Sequence, residues 1–147
     1  MKICLICSAG GHLTEMQQLK DFYKKYDYFF VTLKKHDTED FEEKAYFISD
    51  PGRNPLKFVL NAFQGLFIIL KERPKIVVST GAGMAIPLCY MAKILGRKIV
   101  FIESFCRIEE PSITGKIVYP VADVFLVQWK EQLKKYGKKA KYHGGVF

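Results

Sequence analysis

The chain has 147 residues, about the size of one domain, and 49% of them are hydrophobic, enough for a packed core and too many for a disordered chain. Its net charge of +8 is unevenly spread: −2 over residues 1–52, +7 over residues 53–107 and +3 over residues 108–147. No run of 18 uninterrupted apolar residues is present, which argues against a spanning helix; the start is not that of a signal peptide, and four cysteines are too few for a disulfide scaffold and fit a reducing cytosol. A positive field of this kind suits an anionic partner: a phosphate ligand, an acidic membrane face, nucleic acid or an acidic protein.

The elements alternate in type. Residues 2–7 form a short apolar run that reads as a buried strand, closed by Ser8-Ala9-Gly10-Gly11. Cys4 and Cys7 spell C-x-x-C, but three residues apart in a strand they point to opposite faces, so they belong to the core, and no metal site is expected. Residues 13–26 have helical spacing, with Leu13, Met16, Leu19, Phe22 and Tyr23 on one face. Residues 28–33 are a second strand, 34–44 a charged loop and 45–48 a third strand. A long helix follows from about residue 55 to 72, stopped by Pro74. Then come a strand at 75–79, a helix at 84–95, a strand at 98–102, a helix at 113–121, a strand at 123–127, a short helix at 130–136 and a last strand at 141–143. Short strands separated by helices predict an α/β fold, a Rossmann-like and mainly parallel sheet with helices on both faces. Ligands of such sheets bind beyond the carboxyl ends of the strands.

Three of the strand-to-helix turns carry unusual chemistry. The first is Gly10-Gly11-His12, with Thr14 and Glu15 following. Its glycines allow close backbone approach to a ligand, and the next helix offers N–H groups and a positive dipole end to an anion. The dipole favours neutral His12, the form a general base needs; a plain glycine turn with a surface histidine is the alternative. It is neither a dinucleotide fingerprint nor a P-loop. The second turn, Ser79-Thr80-Gly81-Ala82-Gly83, repeats the device, although its glycines could serve only close packing. The third, Glu103-Ser104-Phe105-Cys106-Arg107, places a carboxylate, a hydroxyl and a guanidinium past a buried strand. Glu103 could be a base, a sugar-hydroxyl acceptor or a structural partner of His12, and Arg107 could instead pair with Glu109 or Glu110.

Residues 56–70 hold 11 apolar residues in 15, interrupted by a polar stripe of Lys57, Asn61 and Gln64 and flanked by Arg53, Lys71, Arg73 and Lys75. Such a helix is too short to cross a bilayer but can lie in its interface; Phe58, Phe63 and Phe67, with Lys57 and Lys71, are the candidate membrane contacts. An ordinary core helix with a basic rim is the competing reading. Residues 130–141 contain six lysines and one acid, most simply a solvated face; without interleaved aromatics they are no nucleic-acid module. Trp129 belongs to the core or to an interface.

Together the three turns, with Thr114-Gly115-Lys116-Ile117-Val118-Tyr119-Pro120-Val121-Ala122-Asp123 and Val127-Gln128-Trp129, resemble the Alg14-type glycosyltransferase subunits from Ser8 to about Phe147. The Gly-Gly-His turn alone is also similar to the MurG-type transferases. The resemblance implies a single-domain chain, the N-terminal, acceptor- and membrane-side half of a GT-B enzyme split between two polypeptides. The partner would be the C-terminal half, binding most of the UDP-sugar donor, and the missing half is expected on another chain because this one stops near the usual crossover. It further implies sugar transfer to a lipid-linked saccharide in capsule or exopolysaccharide synthesis, at the cytoplasmic face of the membrane and peripherally, with no bound cofactor or metal. His12 and Glu103 would be catalytic. Gly10, Gly11, Glu15, Gly81, Gly83, Ser104 and Arg107 would bind substrate. A non-catalytic enhancer that recruits a partner transferase is the alternative within the family; a stand-alone enzyme on a soluble phosphorylated ligand lies outside it.

Overall fold

The computed structural model describes residues 1–38, 41–52 and 54–147. Among these residues seven strands form one sheet in the order β3-β2-β1-β4-β5-β6-β7, and all neighbours are parallel. In chain order the elements are β1 (Lys2–Ile6), α1 (Gly11–Gln18), α2 (Lys20–Tyr23), β2 (Asp27–Leu33), β3 (Ala45–Ile48), α3 (Pro55–Glu72), β4 (Ile76–Ser79), α4 (Ala85–Ile94), β5 (Lys98–Ile102), α5 (Ile113–Val118), β6 (Val124–Leu126), α6 (Glu131–Tyr136) and β7 (Ala140–Lys141). The Rossmann-like sheet read from the alternation of elements is the one present.

Alternation along β1 divides the core. Cys4 and Ile6 join one cluster with Phe29, Val77 and Phe101 beneath α3, α4 and α5. Ile3, Leu5 and Cys7 join the other, with Phe30 and Val78 beneath α1 and α2. Both faces are buried, which is why the parallel strands read as continuous apolar runs. Burial also pushes the Cys4 thiol well above its ordinary range and that of Cys89 up to about 12, so both remain protonated packing groups.

Several boundaries differ from the sequence reading. The helix expected over 13–26 begins at Gly11 and breaks at Leu19, whose N–H bonds three residues back to Met16 O. The loop at 34–44 contains a 3₁₀ turn, His36–Thr38, closed by Thr38 Oγ1 on Leu33 O and Lys35 O. Helix α5 stops at Val118 because Pro120 has no N–H to extend the ladder. Strand β7 pairs at Ala140–Lys141, one residue earlier than expected.

The bounds of α3 are those its sequence predicts. Asn54 accepts hydrogen bonds from Leu56 N and Lys57 N, Pro55 opens the first turn, and Arg73 in the left-handed region ends the helix before Pro74. Gly65 lets α3 sit close on α4, since a Cβ there would lie 2.8 Å from Leu88 Cγ. At its far end buried Glu72 receives Lys2 (2.9 Å), Lys44 (2.8 Å) and Tyr46 (2.5 Å), which ties α3 to the starts of β1 and β3. Burial works to raise the Glu72 carboxyl, but those partners outweigh it and bring it down to about 2.

Candidate active site at the strand switch point

The strand order reverses between β1 and β4. The crevice of a doubly wound sheet opens at such a point, and the turns after β1, β4 and β5 meet there. Thr80 Oγ1 donates to His12 O (2.9 Å), joining the second turn to the first. A cavity of about 450 Å³ opens between them, lined by Gly11, His12, Glu15, Gly81, Ser104 and Arg107 from the sequence reading and also by Ala82, Cys106, Ser112, Ile113 and Thr114. Its size falls in the range of small-molecule sites.

Gly81 has φ +117°, a backbone that side chains rarely adopt, and a Cβ on it would stand 3.1 Å from His12 Cε1. Ala82 also has positive φ, at 77°, so the second turn holds local strain at the cavity wall. Gly10 caps α1, its carbonyl accepting from Leu13 N and Thr14 N, and lies outside the lining; so does Gly83.

Glu15 joins the turns chemically. Its Oε1 accepts from Ser104 Oγ (2.7 Å) and Phe105 N (2.9 Å), while Oε2 faces His12 Nδ1 at 3.4 Å. The His12 and Glu15 atoms of that last pair are buried, and neither has a hydrogen-bond partner at shorter range. Burial acts to raise the Glu15 carboxyl, but His12, Ser104 and Phe105 together hold it below its ordinary value. The arrangement is an imidazole backed by a carboxylate, with Nε2 as its other nitrogen.

Glu103 is placed differently from the sequence reading. It is 1% exposed, does not line the cavity and is not the partner of His12, a place Glu15 holds. Its oxygens accept from Ser104 N (3.0 Å), Ser112 N (3.1 Å), Ser112 Oγ (3.0 Å) and the Tyr136 hydroxyl. A carboxylate so enclosed is turned into the protein rather than toward a ligand. Arg107, by contrast, faces the cavity. The expected alternative of pairing with its own loop is absent among the described residues, and Glu110 instead meets Lys135 at 3.0 Å. The sequence reading assigned no role here to Ser112, Tyr136 or Trp129. Ser112 was legible as the N-cap of α5; the phenol and indole reach the loop from more than 20 residues away and leave no local signal.

Helix α3 splits the polar stripe read from its sequence: Lys57 is exposed, Gln64 is half-buried, and Asn61 is fully buried, its Nδ2 donating to Ser49 O at 2.9 Å. The outward face is apolar, with Leu56 79%, Phe63 65% and Phe67 66% exposed and Val59, Leu60 and Leu70 in the same row. Phe58 is half-buried; Lys57 and Lys71 are exposed at the two ends. Arg53 lies outside the described residues. No helix among the described residues is long and apolar enough to cross a membrane.

A parallel sheet in this order, with glycine turns and a cavity at its switch point, defines a Rossmann-like unit of the GT-B kind. Among solved structures it superposes on MurG of Acinetobacter baumannii with a TM-score of 0.82 at 15% identity, covering 99% of this chain and 46% of that one. UDP-GlcNAc 2-epimerase of Methanocaldococcus jannaschii gives 0.77 at 16% identity, over 99% and 46%. Residues 43–146 match the family described as "Oligosaccharide biosynthesis protein Alg14 like", and the chain belongs to that family. The UDP-N-acetylglucosamine transferase subunit alg14 of Schizosaccharomyces pombe is 44% identical over 78 residues, 50% of this chain and 37% of the relative. The corresponding Homo sapiens subunit is 39% identical over 77 residues, 48% and 36%. The matches thus span little more than a third of the length of these curated relatives.

Proposed function

We infer that this chain is the acceptor-side subunit of a two-chain UDP-sugar glycosyltransferase that works at a membrane surface. The observation that carries the reading is the meeting, in one cavity at the β1–β4 switch point, of the Glu15-backed His12, the start of α1 and Arg107, which forms no ion pair among the described residues. Family membership narrows the chemistry to oligosaccharide assembly. In the transfer step the acceptor hydroxyl gives its proton to His12 Nε2 and its oxygen bonds to the anomeric carbon. The bond from that carbon to the donor phosphate breaks, and UDP leaves with the electron pair. Glu15 fixes the imidazole with Nδ1–H inward and supports the imidazolium as it forms. Arg107 and the α1 dipole meet phosphate charge. Glu103 takes no part in proton transfer.

The donor is bound mainly by a partner chain that supplies the C-terminal half, and the acceptor is a saccharide on a lipid diphosphate, as in capsule or exopolysaccharide synthesis. Helix α3 lies on the cytoplasmic face of the membrane as a peripheral contact. Its outward Leu56, Phe63 and Phe67 enter the interface, and Lys57 and Lys71 meet anionic headgroups. The enhancer reading, in which this chain only recruits a catalytic partner, is favoured by the name "subunit" that the relatives carry. Transfer of radiolabelled sugar from UDP to membrane lipid, with each chain alone and with both, tests the function. Transfer only with both is expected, and undiminished transfer by the partner alone overturns it. Unchanged turnover of His12→Ala in an intact complex selects the enhancer.

A further inference from the structure

The segment between β5 and α5 has no regular structure, yet it carries Ser104, Cys106 and Arg107 to the cavity. One short stretch of chain holds it from behind. Trp129 Nε1 donates to Phe105 O (2.8 Å), and Gln132 Nε2 donates to Arg107 O and Ile108 O (both 3.1 Å). The Tyr136 hydroxyl donates to Glu103, whose two oxygens also grip the loop at its first residue, Ser104, and at its last, Ser112. Gln132 and Tyr136, four residues apart, share one side of α6, and Trp129 stands just ahead of the helix. Glu103 and Gln132 are fully enclosed, and none of the three lines the cavity.

We propose that Glu103, Gln132 and Tyr136 are positioning residues: α6 is the back plate of the Arg107 loop, and Glu103 is the buried clasp that sets the loop's two ends. The inference rests on the transferase reading for the identity of the substrate. An exposed arginine on an unstructured loop loses conformational freedom when it meets a phosphate, and a loop already held from behind has less to lose. The clasp is charge-assisted, so each of its donors counts for more than a neutral hydrogen bond. Burial and the Glu103 charge push the Tyr136 phenol well above its ordinary range, which keeps it a donor. Gly115 confirms how tightly the clasp is built: a Cβ there would overlap the Tyr136 hydroxyl and stand 2.6 Å from Glu103 Oε2.

Two measurements test this. In the chain alone, trypsin cuts after Arg107 only when the loop leaves its seat. Tyr136→Phe is expected to raise that cleavage about fivefold relative to the other tryptic sites. Where Tyr136→Phe loosens the whole fold and all sites accelerate together, Gln132→Met decides, since it spares the carboxylate network. Cleavage at Arg107 unchanged in the deciding variant overturns the proposal.

With the partner present, Tyr136→Phe is expected to raise the acceptor KM about tenfold with kcat nearly unchanged, and to add nothing to Arg107→Ala. Glu103→Gln is expected to keep the acidic limb of the pH–rate profile. Multiplicative losses with Arg107→Ala, or disappearance of that limb in Glu103→Gln, overturn the proposal. If the unmodified pair transfers no sugar, the transferase reading fails, and the proteolysis result alone decides whether α6 seats the loop.

Discussion

Gly81 and His12 are in near contact: the glycine α-carbon faces the imidazole edge so closely that a methyl group on it would stand 3.1 Å from Cε1. Gly81→Ala therefore has two separable effects. Positive φ costs the folded state about 1–2 kcal/mol, read as a lower unfolding temperature. The methyl also pushes the imidazole off its line. Transfer by the complex is expected to fall at least about tenfold, while partner binding, measured by co-purification, stays intact.

Glu15 acts on His12 by holding it, so the two do not contribute independently. Glu15→Gln keeps the shape and the Ser104 contact but removes the charge that supports the imidazolium. A loss in kcat of about 10–100-fold is expected. The double variant with His12→Ala should be no slower than His12→Ala alone; steady-state kinetics on all four proteins decide it.

The outward row of α3 gives a binding prediction that needs no substrate. Phe63→Ser with Phe67→Ser should cut flotation with anionic vesicles about tenfold or more, because two buried rings are lost from the interface. Lys57→Glu should weaken binding at low salt and have little effect above about 0.5 M, where surface charges are screened. Circular dichroism should show the same helix content in all three proteins.

Gly115→Ala is expected to be among the most damaging single methyl additions. It is driven against Glu103 and Tyr136, both already fully engaged, and should cost about 2–4 kcal/mol. Chemical denaturation measures it, and Tyr136→Phe made in the same background should recover part of the loss by vacating the hydroxyl.

Acid should unfasten the end of α3. The Glu72 carboxyl titrates at about 2 in the fold, below its value in the unfolded chain. Its contribution is complete above the unfolded value and is lost as pH falls from about 5 towards 2. Unfolding free energy should drop by on the order of 2 kcal/mol across that window, and the drop should be smaller in Glu72→Gln. A pH series of denaturation curves for both proteins tests the sign.

Much of the sheet was legible because parallel strands buried on both faces leave continuous apolar runs, as β1 and β4 do. Glycine turns after β1 and β4 pointed to one shared crevice at the carboxyl ends of the strands, and the strand order places it at the switch point. Less visible was which carboxylate meets His12. Glu15 and Glu103 are both near the right strand ends, and only tertiary packing turns one into the cavity and the other into the core. Helix α3 was legible in its bounds and its wide apolar arc, but not in which part of that arc packs on the protein. Asn61 is turned inward to donate to Ser49 O, and a helical pattern alone does not say which side the protein is on.

The Glu72 staple places the end of α3 at the starts of β1 and β3, so α3 runs back against the strands and its Asn54 end lies at the edge that carries the cavity. A membrane on which α3 rests, as proposed above, therefore lies parallel to the strands, with the cavity-bearing edge of the sheet at the Asn54 end of the helix.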